Sequence, residues 1–182
     1  MCFKVLRYNN LKFSNQQSAI SKTQSGILLI NLGTPDTPHT REVRIFLREL
    51  LSCKRVLDIN PVWRWLLVNF VILPFRSRKS AKAYRKIWLE DGSPLLVYSQ
   101  KLKNALGEQL SEEKIPVELG MQCGRPSLKS AMDRLRKQGC DRIIVLPMYP
   151  QYASSTYGSA IEELYKEILL DWNIPNMRVI PP

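Results

Sequence analysis

Hydrophobic positions along this chain follow two alternating rules. Gly26-Ile-Leu-Leu-Ile-Asn-Leu32 is a continuous apolar run that ends in Gly33-Thr-Pro-Asp36. An unbroken run of this kind, closed by a Gly/Pro loop, reads as a strand buried on both faces of a parallel sheet. Runs of the same type recur at residues 117–121, 142–148 and 177–180. Between the strands the apolar spacing changes to the helical period. Val43, Phe46, Leu47, Leu50 and Leu51 form one stripe, with Thr40 placed to cap it. Residues 55–59 read as extended, and Pro61 opens a short apolar helix that Pro74 is expected to stop. Residues 78–88 then predict another helix, with Ala81, Tyr84 and Trp88 on one side. Gly92-Ser93-Pro94 is a helix start, with Ser93 at the cap and Pro94 in the first position. Leu95, Leu102, Ala105, Leu106 and Leu110 carry that helix on, and two more helices are expected near 127–138 and 159–172. Strands alternating with helices imply a parallel sheet with right-handed crossovers, a doubly wound or flavodoxin-like α/β fold. Residues 1–25 read as a flexible basic extension and 26–182 as a single unit with no repeat or internal linker.

Composition fits that picture. The chain has 182 residues, 45% of them apolar, enough to build a core without disulfides. Its four cysteines, Cys2, Cys53, Cys123 and Cys140, are scattered with no C-x-x-C pair. That argues against a disulfide framework or a structural zinc site and fits a reducing compartment. No run reaches the roughly 18–20 apolar residues that span a bilayer, since the stretch from Trp65 to Phe75 is broken by Asn69 and Pro74.

The net charge is +11, and its distribution says more than its sum. Residues 59–89 hold no Asp or Glu, yet contain Arg64, Arg76, Arg78, Lys79, Lys82, Arg85 and Lys86. Trp63, Trp65, Phe70, Phe75 and Trp88 are interleaved with them. A basic, aromatic segment suits a membrane surface, a nucleic acid or a flat acidic ligand, and equally a solvated helix face beside a buried one. No nucleic-acid motif accompanies it, so a nucleic-acid partner is not expected.

In an open α/β sheet, ligands bind outside the carboxyl ends of the strands. Here those ends are Asn31-Leu-Gly-Thr-Pro35, Gln122-Cys-Gly-Arg-Pro126 and Pro147-Met-Tyr-Pro-Gln-Tyr152. None forms a G-x-G-x-x-G or G-x-x-x-x-G-K-[ST] loop, which disfavours nucleotide binding by those devices.

Together the segments resemble the ferrochelatases. The matching pieces are Leu28-Leu-Ile-Asn-Leu-Gly-Thr-Pro-Asp36, Phe46-Leu-Arg-Glu-Leu-Leu-Ser52, Ile72-Leu-Pro-Phe-Arg-Ser77, Gly92-Ser-Pro-Leu95 and Val145-Leu-Pro-Met-Tyr-Pro-Gln-Tyr-Ala-Ser-Ser-Thr156, in the family's order and spacing. The resemblance is closer to bacterial than to mitochondrial members. It implies a chelatase lobe, one of two that hold a porphyrin between them, and an enzyme that inserts ferrous iron into protoporphyrin IX, or into coproporphyrin III in some bacteria. Ferrous iron is then a substrate and no cofactor is bound permanently. A cytoplasmic protein follows, with peripheral contact between the apolar lip (Trp63, Trp65, Leu66, Leu67, Phe70 and Ile72) and an anionic membrane at its inner face.

By position, the resemblance implies porphyrin contacts at Leu32, Arg76, Tyr84, Ser93, Gln122, Tyr149 and Tyr152. Leu32 would press on the ring face and Arg76 would pair with a propionate. Leu32 and Tyr84 also fit core positions, Arg76 a solvated arginine, and Ser93 a helix cap. Gln122-Cys123 departs from the family, which often has an aromatic there. Ser154 stands where some members place a cysteine of a 2Fe–2S cluster, so no cluster is expected. The family's catalytic histidine and its partner glutamate belong to a carboxyl-terminal lobe outside this sequence, and His39 lies far from the matching position. The chain alone is therefore expected to lack enzymatic turnover. The alternative is a non-catalytic remnant that binds porphyrin or membrane.

Overall fold

The computed structural model describes residues 24–170 and 174–182. The expected extension therefore lies, apart from Gln24 and Ser25, outside the described residues, as does the expected end of the last helix at Trp172. Four strands form one parallel sheet: β1 Gln24–Thr34, β2 Val117–Gly124, β3 Cys140–Pro147 and β4 Asn176–Val179. Their spatial order is β2-β1-β3-β4, with every pairing parallel. β1 starts two residues earlier than the apolar run suggests, because Gln24 and Ser25 pair with Cys140 and Arg142.

This order fixes where the helices go. The chain moves one way from β1 to β2 and the other way from β2 to β3 and on to β4. Right-handed crossovers therefore put the first connection on one face and the next two on the opposite face. α5 (Leu128–Lys137) and α6 (Ser159–Leu169) cover the second face. There Leu28, Ile30, Leu135, Ile143, Val145 and Leu164 are fully buried in one cluster. α4 (Pro94–Gln109) covers the first face, where Leu29, Leu119 and Met121 meet Leu96, Leu106 and Leu110. Glu118, on the edge strand β2, is buried but neutralised by Arg134 at 2.8 Å and Lys103 at 3.3 Å.

The first crossover is long. α1 (Thr40–Ser52) leads through turns to α2 (Pro61–Leu66), a π-helical stretch (Leu67–Ile72) and α3 (Leu73–Ile87). These helices build their own core around Val43, Phe46, Val68, Leu73 and Ala81.

Four local expectations are corrected. Thr40 is the first helical residue rather than the cap: the helix begins a residue earlier, and the His39 carbonyl accepts the Val43 N–H at 3.0 Å. Residues 55–59 are turns, since Val56 and Leu57 both donate to the Cys53 carbonyl. Pro74 does not stop its helix. In a regular α-helix its ring would meet the carbonyl four residues back. Here the preceding turn is wider, with Leu73 N–H bonded five residues back to Val68, and residues 61–87 run on as one helical arm. Of the residues expected to form an apolar lip, Leu66 and Ile72 are half-buried, while their neighbours Val62, Val71 and Phe75 are exposed.

Candidate functional site

The ends of β1 and β2 are held together by glycine. Gly33 has φ +101°, and a Cβ there would lie 1.7 Å from the Cys123 carbonyl oxygen. Gly124 has φ +82°, and its Cβ would lie 2.7 Å from the Thr34 carbonyl oxygen. No L side chain fits either position, so the two strand ends approach as bare backbone. Glu49 of α1 accepts the Gly124 N–H at 3.0 Å. Burial holds its carboxyl above the usual range, against the lowering effect of that bond.

Beside this junction, where connections leave β1 and β3 in opposite directions, opens a cavity of about 790 Å³. That is the topological switch point of the sheet, where open α/β folds bind ligands. Its floor is Asn31, Leu32, Gly33 and Thr34 with Met148, contributed by β1 and the residue after β3. One wall is α3, through Arg76, Ser80, Tyr84 and Ile87. The facing wall is α4 and its start, through Ser93, Leu95, Tyr98, Ser99 and Leu102. Helical spacing explains both walls, since positions three and four apart share a face.

Four of the sequence-predicted residues therefore come together: Leu32, Arg76, Tyr84 and Ser93. Tyr84 stands in an edge-to-face ladder with Phe46 at 6.4 Å and Trp88 at 6.1 Å, and burial raises the pKa of its phenol. Ser93 occupies the cap position by its backbone, but its side chain makes no cap hydrogen bond; it is buried at the cavity wall. Arg76 is exposed, and among the described residues it has no ion-pair partner. No Asp, Glu or His among the described residues lines the cavity, and His39 lies at the start of α1.

The other three predicted residues lie elsewhere. Side chains alternate across a strand, and Met121 faces α4, so Gln122 points to the opposite face. There its amide donates to Ser159 Oγ at 2.8 Å, and its carbonyl oxygen accepts the Tyr149 hydroxyl at 3.3 Å. Gln122 borders a separate, polar cavity of about 310 Å³ with Glu49, Cys123, Glu162 and Lys166. Burial pushes the Cys123 thiol up to about 12 and raises the Tyr149 phenol as well. Tyr152 is 63% exposed and tilts against Tyr157. Nearby, Arg55 bonds Glu162 and donates to Ser154 at 3.2 Å. The Glu162 carboxyl is held below the usual range by Lys166 first and Arg55 second.

The sequence placed Asn31 and Met148 at ligand-facing strand ends without a role, and Phe46, Ser80, Ile87, Tyr98 and Ser99 were missed as cavity residues. For the helical ones the signal existed, because Arg76, Ser80, Tyr84 and Ile87 share a stripe, as do Leu95, Tyr98, Ser99 and Leu102.

The fold and the site define a flavodoxin-like α/β unit with an apolar pocket at its switch point and an exposed guanidinium, that of Arg76, at its edge. The family model for ferrochelatase matches residues 24–182. A ferrochelatase of Coxiella burnetii is 50% identical over 139 residues, covering 76% of this chain and 39% of the relative. Ferrochelatases of Marinomonas sp. and Escherichia coli are 50% and 46% identical, over 79% and 87% of this chain. This chain belongs to the ferrochelatase family. It spans 39% to 49% of the length of these relatives.

Proposed function

We propose that the switch-point cavity is one wall of a porphyrin site, and that the chain serves the insertion of ferrous iron into protoporphyrin IX, the final step of heme biosynthesis. One observation carries this reading. In a chain of this family, the walls of α3 and α4 make an apolar pocket lined by an exposed arginine, Arg76, that has no ion-pair partner among the described residues. The flat ring packs between the walls over Leu32, Tyr84 packs at its edge, and Arg76 binds a propionate bidentately in a partly desolvated setting. Ser93 donates or accepts a hydrogen bond at the wall.

Iron insertion removes two protons from the ring nitrogens, so a base must stand near the ring centre. The cavity lining described here offers no carboxylate or imidazole, and the proton acceptor is proposed to come from the opposite wall. Iron enters as substrate, and no iron–sulfur cluster is proposed. Supporting that, the Ser154 hydroxyl is engaged by Arg55.

The setting is proposed to be the cytoplasm, with peripheral contact to an anionic membrane. In support, Trp63, Trp65, Phe70 and Phe75 are exposed along the arm, next to cations on α3 that lack ion-pair partners among the described residues. Among the described residues no helix is long and apolar enough to cross a membrane.

The test is a ferrous-iron insertion assay on the purified chain, alone and mixed with the separately expressed carboxyl-terminal half of a related ferrochelatase. The reading expects no enzymatic turnover alone and recovery on mixing. Turnover by the chain alone, lost in His39→Ala, would overturn it. A companion cosedimentation assay expects binding to anionic over neutral vesicles, weakened in Trp65→Ala; equal binding to both sinks the membrane contact.

A further inference from the structure

The β1–β2 pairing proceeds residue by residue from Ile27 to Asn31, skips Leu32 and resumes at Gly33. On its other side β1 pairs with β3 only as far as Ile30. At this step the Leu32 N–H donates to the Asn31 side-chain oxygen at 2.8 Å. The other end of the same amide donates to Ser99 Oγ, on α4, at 3.1 Å. Asn31 and Ser99 are 9% and 4% exposed, so the bond is shielded from water and a missing partner leaves a buried polar group unsatisfied.

Both residues line the cavity, Asn31 in its floor beside Leu32 and Ser99 in the wall with Leu95, Tyr98 and Leu102. One side chain therefore fixes the backbone of the floor leucine and the distance from floor to wall. We infer that Asn31 and Ser99 are positioning residues, a floor-to-wall clasp that holds Leu32 rigidly against the ring face and so gives the pocket a preference between flat and bent macrocycles. This rests on the porphyrin reading above. The physical link is that a side chain can press on a ring only if its own backbone does not yield. A lost hydrogen bond of ordinary strength, about 1 kcal/mol, is enough to loosen it.

The decisive readout is a ratio, because partial unfolding lowers affinity for every ligand alike and cancels. The purified chain is titrated with protoporphyrin and with its N-methyl derivative, whose substituted nitrogen forces the ring out of plane. Hydrogen exchange of the Leu32 amide is followed in parallel. The unsubstituted chain is expected to favour the bent ring. In Asn31→Ala the preference collapses toward one and Leu32 exchanges roughly fivefold to tenfold faster. Ser99→Ala lowers the preference less and leaves the Leu32 amide protected. Ser99→Thr, which keeps the hydroxyl, matches the unsubstituted chain.

Should Asn31→Ala not fold, the Ser99→Ala and Ser99→Thr pair decides alone. An unchanged ratio in the alanine variants, with binding intact, overturns the clasp. So does unaltered exchange at Leu32 in Asn31→Ala. Failure of the unsubstituted chain to bind either porphyrin overturns the functional reading instead, while the exchange data still decide whether Asn31 holds Leu32.

Discussion

The two faces of the sheet are built from the same strands yet end differently. On the α5/α6 face, two amphipathic helices lie side by side and close the core completely, with Leu28, Ile30, Ile143 and Leu164 at 0% exposure. On the α4 face one helix covers β1 and β2, while Ile144 and Leu146 of β3 stay half-exposed. The remaining helices of that crossover stand beyond the strand ends, with their own core. The difference follows from strand order: a sheet that starts near one edge and reverses direction puts two short crossovers on one face and one long crossover on the other. The closed face supplies stability, and the open face supplies a cavity whose walls are free to be chosen for a ligand.

That contrast can be broken by mutation. The largest effect is expected from Leu28→Ala on the closed face, where a cavity opens in a filled core. Thermal unfolding should show a loss of about 2–5 kcal/mol, a fall in Tm on the order of 10 °C. Leu102→Ala, at the half-exposed rim of the cavity, should change stability by no more than about 0.5 kcal/mol. Equal losses at both positions would mean that the faces do not differ as described.

A smaller effect sharpens the contrast at the strand ends. Burial holds the Cys123 thiol up to about 12, so at pH 8 only about one in 10⁴ is ionised and nucleophilic. Iodoacetamide should therefore modify the more accessible Cys53 first and reach Cys123 only when the structure opens, as mass spectrometry of timed samples would report. Early labelling of Cys123 would mean that the junction of β1 and β2 is looser than its glycine contacts imply.

Most of the fold was legible in the sequence because buried parallel strands leave unbroken apolar runs. The residues at 117–121 and 142–147 lie within β2 and β3, and residues 177–179 fall in β4. The helices of the arm at 61–87 were legible but their continuity was not, since proline is an interruption in the local code and a π-helical widening that absorbs it has no apolar signature. The pocket was half legible. Leu32, Arg76, Tyr84 and Ser93 converge because strand end and helix stripe share a side. Gln122 turns to the opposite face, a direction not legible because neighbouring strand positions look alike until the facing partner is known. Met121 facing α4 settles which way Gln122 turns.

The central claim, that the switch-point cavity takes a porphyrin carboxylate through Arg76, is tested most directly by fluorescence titration of the chain with protoporphyrin and with its dimethyl ester. Arg76→Ala is compared with Tyr152→Ala, which lies outside that cavity. The account predicts that Arg76→Ala weakens binding of the free acid by about 10- to 100-fold, the value of a hydrogen bond to a charged group, and leaves the ester unaffected. Tyr152→Ala should leave both affinities within about twofold of the unsubstituted chain. Equal losses for acid and ester in Arg76→Ala, or a larger loss in Tyr152→Ala, would place the ligand somewhere other than this cavity.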